Sequence, residues 1–206
     1  MDKTLIRGDV NELQCILDFQ SRGYYCSIPF SGSCRYDVVV DINGKLLRIQ
    51  CKSSSFHEED GTLRMDATRT TTNTKKTISY SYSKEEIDYF YTSWNGYGFL
   101  LPVEEVGTTK YLRVKPPKQG IQATMCIAND YLLDNVIESI TTNTPLKKYW
   151  DTRYISIDEN GNEKIWSYTD LQNNFSDRQI RYIREKSNTM EPIKGILWKI
   201  KEFPTL

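Results

Sequence analysis

The chain has a single histidine, and none of its five cysteines (Cys15, Cys26, Cys34, Cys51 and Cys126) stands in a CxxC pair. The ligand spacings of a zinc site are therefore missing, and the odd cysteine count reads as reduced core thiols of a cytosolic protein rather than a disulfide framework. His57, in an acidic stretch with no fixed partner, is poor material for a nucleophilic triad and reads as solvent-exposed. Excess charge of one sign is missing too. Lys plus Arg and Asp plus Glu both number 27 in 206 residues, so only local patches can speak for or against nucleic acid. No apolar run approaches the roughly 18 residues of a membrane-spanning helix. The opening MDKTLIRGDV does not read as a signal peptide, and no repeat or low-complexity segment stands out. These absences leave a soluble, cytoplasmic protein of one domain, or of a core domain with a small second module.

Material for a core is present: 38% of residues are apolar, and fourteen tyrosines and four tryptophans add large, partly apolar side chains. Asp9 and Glu12 are spaced as a capping box before an amphipathic helix with Leu13, Ile16, Leu17 and Gln20 on one face and Gly23 as its C′ residue. YYCSIPF (24–30) reads as a short strand, residues 53–61 as a loop, and LRMDATRTT (63–71) as an extended segment. Ser83 and Glu86 make a second capping box, opening a helix over KEEIDYFYTSW (84–94). GYGFLLPVEEV (96–106) and KYLRVKPP (110–117) are strands, IANDYLLDNVIESI (127–140) is helical, and TTNTPL (141–146) is the linker. This order predicts an α/β domain with a central mixed sheet flanked by helices over residues 1–142, followed by a small module over 143–206.

RYDVVVDINGKLLRIQCKSS, from residue 35 onward, is a hairpin with Asn43-Gly44 as its two-residue turn. Cross-strand partners then pair Val39 with Arg48 and Asp37 with Gln50. Lys52 leaves the same face one step further on. An acid, an amide and an amine thus converge at one end of the hairpin, unless a bulge shifts the register. The pattern equally describes an ordinary cross-strand ion pair between Asp37 and Lys52, and Glu12 equally has a role as a helix cap.

Past the linker, RYISIDENGNEKIWS (153–167) holds a turn at 159–161 between two short strands. YTDLQNNF is a short helix, and Ser176-x-x-Gln179 caps a second, with Ile180 and Ile183 inward and Arg178, Arg181, Arg184 and Lys186 outward. Residues 177–206 hold seven Lys or Arg against four Asp or Glu. A basic second helix after a short first one suits a helix-turn-helix reader of the major groove, though a solvated amphipathic helix gives the same pattern.

Glu12, Asp37 after Arg35-Tyr36, Gln50-Cys51-Lys52, the SKEEIDYF segment at 83–90 and the strands that follow resemble the PD-(D/E)xK nucleases, and among them the group I intron homing endonucleases. Tyr36 stands in place of the motif's proline and Gln50 in place of its usual acid. The tail, ending GILWKI (195–200), is similar to the helix-turn-helix modules appended to many intron-encoded nucleases. The resemblance implies a site-specific endonuclease of double-stranded DNA dependent on Mg²⁺, with Mn²⁺ as a possible substitute. Its metal ligands would be Asp37, Gln50, the Cys51 carbonyl and Glu12, with Lys52 completing the catalytic set. A double-strand break needs paired sites, hence a homodimer or higher even oligomer, with YFYTSW (89–94) a candidate for the interface or for core packing. DNA contacts are expected from Arg64, Arg69, Lys75 and Lys76 beside the site. In the tail, base reading falls to Arg178, Arg181 or Arg184, and phosphate contact to Lys186, Lys194 and Lys199. A DNA-binding protein that has lost catalysis, or a four-way-junction resolvase, shares the fold.

Overall fold

The computed structural model of the chain describes residues 3–72, 76–116, 125–149, 154–189, 196–200 and 206. Asn43 and Gly44 sit at φ 54° and 86°, a left-handed turn that Asn-Gly adopts at least cost. It joins strand β2 (Val38–Ile42) to β3 (Lys45–Cys51) in the predicted register, Ile42 opposite Lys45 and Val39 opposite Arg48. The Asp41 carboxylate fastens the turn, accepting from the Gly44 N–H at 2.7 Å. Strand β1 (Tyr25–Ser27) pairs with β2. On the other side β3 runs parallel to β8 (Tyr89–Trp94), which pairs with β9 (Tyr97–Pro102). The result is a mixed five-stranded sheet ordered β1-β2-β3-β8-β9.

Alternation along these strands builds a core on each face. Val38, Val40, Leu47, Ile49, Tyr91 and Leu100 meet Cys15 and Phe19 of helix α1 (Lys3–Gln20) and Leu133, Val136 and Ile137 of α2 (Leu133–Thr142). On the opposite face Phe90, Phe99 and Leu101 meet Leu63, Met65 and Leu112. These last belong to a second antiparallel sheet, ordered β10-β5-β4, whose strands are β4 (Ser54–His57), β5 (Thr62–Asp66) and β10 (Thr109–Arg113). Among the described residues, α1 and α2 thus pack on one face of the five-stranded sheet, and the second sheet covers the other. A polar two-stranded ribbon, β6 (Arg69–Thr72) and β7 (Thr77–Tyr80), follows β5.

Several local expectations are corrected. Helix α1 begins at Lys3, so Asp9 and Glu12 lie inside it and form no capping box. Its inward face is Asn11, Cys15 and Phe19, whereas Leu13 and Leu17 are exposed. The chain leaves α1 as expected, through Gly23 at φ 84°, with the Tyr24 N–H donating to Phe19 O and the Gly23 N–H to Gln20 O. The loop over 53–61 contains β4, held by pairing with β5 and by Phe56 stacking on Trp94 at 4.8 Å. No helix forms over 84–94. The Ser83 N–H does donate to the Glu86 carboxylate at 3.1 Å, but it closes a single turn, and the aromatic run YFYTSW becomes β8. Phe90, Tyr91 and Thr92 are buried there, which makes this run core and removes it as an interface.

The chain divides into two compact units, the first ending at Leu146 and the second spanning Lys147–Thr205. The second contains a sheet ordered β12-β11-β13, from β11 (Tyr154–Ile157), β12 (Glu163–Trp166) and β13 (Leu197–Ile200), and the helices α3 (Tyr168–Asn174) and α4 (Asp177–Thr189). Ser167 and Asp170 form a reciprocal cap on α3, and the Ser176 N–H donates to Gln179 Oε1 at 2.9 Å ahead of α4. Trp166, Phe175 and Trp198 stack with centroids 5.5–5.8 Å apart over Tyr154, Leu171, Ile180 and Ile183. GILWKI thus ends in a strand. Among the described residues no helix is long and apolar enough to cross a membrane.

Candidate active site

Asp37 enters the hairpin one residue before β2, its N–H donating to Ile49 O at 2.9 Å. Its carboxylate Oδ2 accepts from the Cys51 N–H at 2.7 Å and from the Gln50 side-chain amide. That amide also donates to the Cys51 carbonyl at 3.3 Å. The Cys51 thiol turns the other way, into the helix-side core, where a hydrogen bond with the free Cys15 thiol and burial push its pKa well up. Only the backbone of Cys51 therefore faces Asp37.

Lys52 follows directly. Its Nζ donates to Thr68 O at 3.1 Å and lies 5.1 Å from the centroid of the Tyr82 ring. Burial lowers the Lys52 pKa, and the nearby Asp37 charge partly restores it. Asp37 shows the converse. Burial raises its pKa against the opposing pull of the Cys51 N–H, Lys52 and Gln50. Glu12 is half-buried on α1, and its pKa is raised first by burial and then by the Asp37 charge, which brings the two carboxylates into one electrostatic site. The structure thus gathers Asp37, Gln50 and Lys52 at the end of the hairpin, with Glu12 on α1 near enough to feel the Asp37 charge.

The donor set suits a hard cation. Two carboxylates, an amide and a backbone carbonyl are oxygen ligands of the kind Mg²⁺ takes. Both acids have raised pKa values first because burial disfavours their charged forms, a cost that a bound cation would offset. Gln50 shows Asp37 its amide nitrogen; as a ligand it would offer Oε1 instead. Among the described residues no three His, Cys, Asp or Glu side chains gather, so Gln50 and the Cys51 carbonyl have to supplement the two acids.

A family model described as PD-(D/E)XK endonuclease matches residues 2–134, more than half of the chain. The chain belongs to the PD-(D/E)XK endonuclease family. The structure is also similar to a solved bacterial homing endonuclease, I-Ssp6803I, with a TM-score of 0.57 and 22% sequence identity, over 68% of this chain and 97% of that one. A comparison with curated proteins finds no match. Tyr36, which the sequence reading sets at the motif's proline, packs partly buried against the core cluster on the face away from the helices.

Of the residues expected to touch DNA, Arg64 lies on β5 and pairs with Asp66 at 2.9 Å, its Nε buried with no hydrogen-bond partner. Arg69 is half-buried on β6, opposite Tyr80, and Lys76 is exposed ahead of β7. Arg178, Arg181 and Arg184 are all exposed on α4, and Lys199 is half-buried on β13. Lys186 falls within α4 but its side chain lies outside the described residues, as do Lys75 and Lys194 altogether. Tyr82 is the site residue that the sequence does not announce. It comes from the loop after β7 and packs edge-on against Phe90 at 5.4 Å. Burial and the Asp37 charge push its phenol up to about 12. No motif marks it, because its place is set by tertiary packing alone.

Proposed function

We propose that this PD-(D/E)XK chain is a site-specific, Mg²⁺-dependent endonuclease of double-stranded DNA, of the homing type. The observation that carries the reading is the convergence of Asp37, Gln50, the Cys51 carbonyl and Lys52 at one hairpin end, with Glu12 reaching in from α1. The printed title of the similar structure, a homing endonuclease, points the same way.

Asp37 and Glu12 would hold the cation by their carboxylates, Gln50 by Oε1 and Cys51 by its carbonyl. When bound there, Mg²⁺ or Mn²⁺ supplies charge neutralisation at the phosphate and a water of lowered pKa. The chain's own contribution is positional. The Asp37 carboxylate is fixed by the Cys51 N–H and the Gln50 amide, so it needs little reorganisation when charge develops. Lys52, anchored by Thr68 O and the Tyr82 ring, keeps an ammonium beside that carboxylate to donate to the phosphate oxygens. Water attacks phosphorus and gives up a proton, the bond to the 3′ or 5′ oxygen breaks, and the leaving oxygen takes up a proton, so that a phosphomonoester and a hydroxyl end result.

One such site cuts one strand, so a double-strand break calls for a homodimer or a higher even oligomer. The second unit supplies the reader. Replacing Arg178, Arg181 and Arg184 by Ala one at a time should weaken target binding about 10- to 100-fold for at least one of them, with little change on random duplex. Lys199→Ala should weaken both alike and flatten the salt dependence. Mobility shifts at several salt concentrations measure this. Small, equal losses for all three arginines would make α4 a solvated packing helix instead.

One observation favours a second reading. Gln50 removes a negative charge from the acid position, as would be expected of a DNA-binding protein that has lost cleavage. Incubating the purified protein with a randomised duplex library and Mg²⁺ separates the two. Cleavage at a defined sequence supports the nuclease, and binding without cleavage supports the relic. Preference for four-way junctions over any duplex sequence would indicate a resolvase.

A further inference from the structure

Both feet of the ribbon β6–β7 stand on Lys52. Thr68, whose carbonyl accepts from Lys52 Nζ at 3.1 Å, immediately precedes β6. Tyr82, whose ring centroid lies 5.1 Å from the same nitrogen, follows β7 by two residues. Each foot is fixed to the first unit. The buried Ala67 donates its N–H to Thr108 O at 2.9 Å. Just past Tyr82, the Arg48 guanidinium donates to Glu85 O and to Lys84 O, the latter at 2.8 Å, and pairs with Asp88 at 3.1 Å. The Tyr82 ring itself rests edge-on against the buried Phe90. An ammonium has three N–H donors. The Thr68 carbonyl takes one and the ring face attracts a second, which leaves the third for a phosphate oxygen.

The ribbon that rises from these feet joins neither sheet of the first unit. Among the described residues, β6 and β7 pair only with each other. A two-stranded ribbon with no second layer is marginally stable in water. Register and alternation place Thr70, Thr77 and Ser79 on one of its faces, and all three are exposed. Their hydroxyls can donate to or accept from base edges, and a two-stranded ribbon is narrow enough to enter the major groove. We propose that β6–β7 is a specificity-determining arm, which reads the base pairs beside the scissile phosphate and, through Thr68 and Tyr82, holds the Lys52 ammonium in register with the sequence it reads. That the phosphate there is cut rests on the proposed nuclease function; the reading and the hold on Lys52 do not.

Charge and dimensions identify the occupant as duplex DNA. Residues 67–84 hold four Lys or Arg and no Asp or Glu, in a chain whose charges otherwise balance. An element that only neutralised phosphates would carry cations along its exposed face, whereas this face carries neutral hydroxyls between the cations at its ends, Arg69 and Lys76. Four residues per strand extend about 13 Å, the rise of about four base pairs. Reading by the arm is therefore confined to about four base pairs next to the phosphate at Lys52. It is separate from reading by the α4 arginines, which belong to the other unit. Tyr82 is a positioning residue, since it acts through the Lys52 ammonium.

Binding selection from a randomised duplex library, with Ca²⁺ in place of Mg²⁺, tests the reading on the full chain. The double variant Thr70→Val, Ser79→Ala removes two exposed hydroxyls and no charge. It should relax base preference about fivefold or more at no more than about four adjacent base pairs, with the salt dependence of binding unchanged. An unchanged selected sequence, no selected sequence at all, or relaxation scattered over the target overturns the arm as a reader. The hold on Lys52 is measured by the pH dependence of its acetylation, followed by peptide mass spectrometry on the same complexes. A ring face favours the protonated amine, so Tyr82→Leu should make Lys52 reactive at lower pH, while Tyr82→Phe, which keeps the face, should match wild type. In Mg²⁺, Tyr82→Leu should cut about tenfold or more slowly at wild-type affinity and with the wild-type preference. Acetylation or cleavage by Tyr82→Leu that matches wild type overturns the hold. If selection and acetylation behave as expected but the wild type cuts no DNA, the arm stands and the nuclease reading fails.

Discussion

Lys52→Ala should slow DNA cleavage by about a hundred- to a thousandfold, the usual loss when one preorganised donor to a developing oxyanion is removed. Its affinity for DNA in the presence of Ca²⁺, which permits binding without turnover, should stay within about threefold, since one phosphate contact among many contributes little to binding. The expectation rests on how the ammonium is held: Thr68 O at 3.1 Å, the Tyr82 ring at 5.1 Å and the Asp37 charge nearby. Burial lowers the Lys52 pKa below its ordinary 10.5. Wild-type cleavage should therefore lose rate on the alkaline side at a lower pH than a free lysine would dictate. Single-turnover rates across pH measure both effects. Equal rates for Lys52→Ala and wild type would remove Lys52 from the catalytic set.

Gly98→Ala should destabilise the first unit by about 1–3 kcal/mol, the cost of overpacking a filled core. A Cβ added to the buried Gly98 falls on Asp18 Oδ2, well inside van der Waals contact, and 3.1 Å from the Tyr91 ring. Neither neighbour can yield. Asp18 is fixed by Gln14 at 2.7 Å and by the Tyr91 hydroxyl at 2.7 Å, and Tyr91 is fully buried. Moving Asp18 aside would break its hydrogen bond from the buried Tyr91 hydroxyl, which adds its own penalty. The midpoint in a thermal melt should drop by several degrees. An unchanged melt would show that α1 can slide over β8 and β9 at no cost.

The parts of this fold that were legible in the sequence are those set by local chemistry. Asn43-Gly44 specifies its turn, and alternation then places Asp37 opposite Gln50 without any knowledge of the remaining chain. Ser176 with Gln179, and Ile180 with Ile183, specify α4 in the same way. Non-local competition defeated the other readings. Ser83-x-x-Glu86 spells a helix start, yet YFYTSW is taken up by parallel pairing with β3, some forty residues earlier, and by burial on both faces. Asp9-x-x-Glu12 has the spacing of a cap but sits inside a helix that starts at Lys3. With its capping role gone, Glu12 is left as a half-buried acid beside Asp37. The misassigned face of α1 has a related cause. Both of its sides are apolar, and periodicity alone does not say which one meets the sheet.

The central claim is that the Asp37 end of the hairpin is where DNA is cut. Its most direct test compares wild type and Asp37→Asn on one target duplex, in Mg²⁺ and in chelator, with a thermal melt of each protein. Asn keeps an oxygen to accept the Cys51 N–H and removes only the charge. The folded-state pKa of Asp37 lies above its ordinary 3.8, so its ionised form burdens the fold at neutral pH and ceases to do so as pH falls through that raised pKa. Asp37→Asn should therefore melt at or above the wild-type temperature in chelator at pH 7, while losing cleavage by at least about a thousandfold in Mg²⁺. Wild type should cut only in Mg²⁺. Cleavage by Asp37→Asn at the wild-type rate, or by wild type in chelator, would contradict the account.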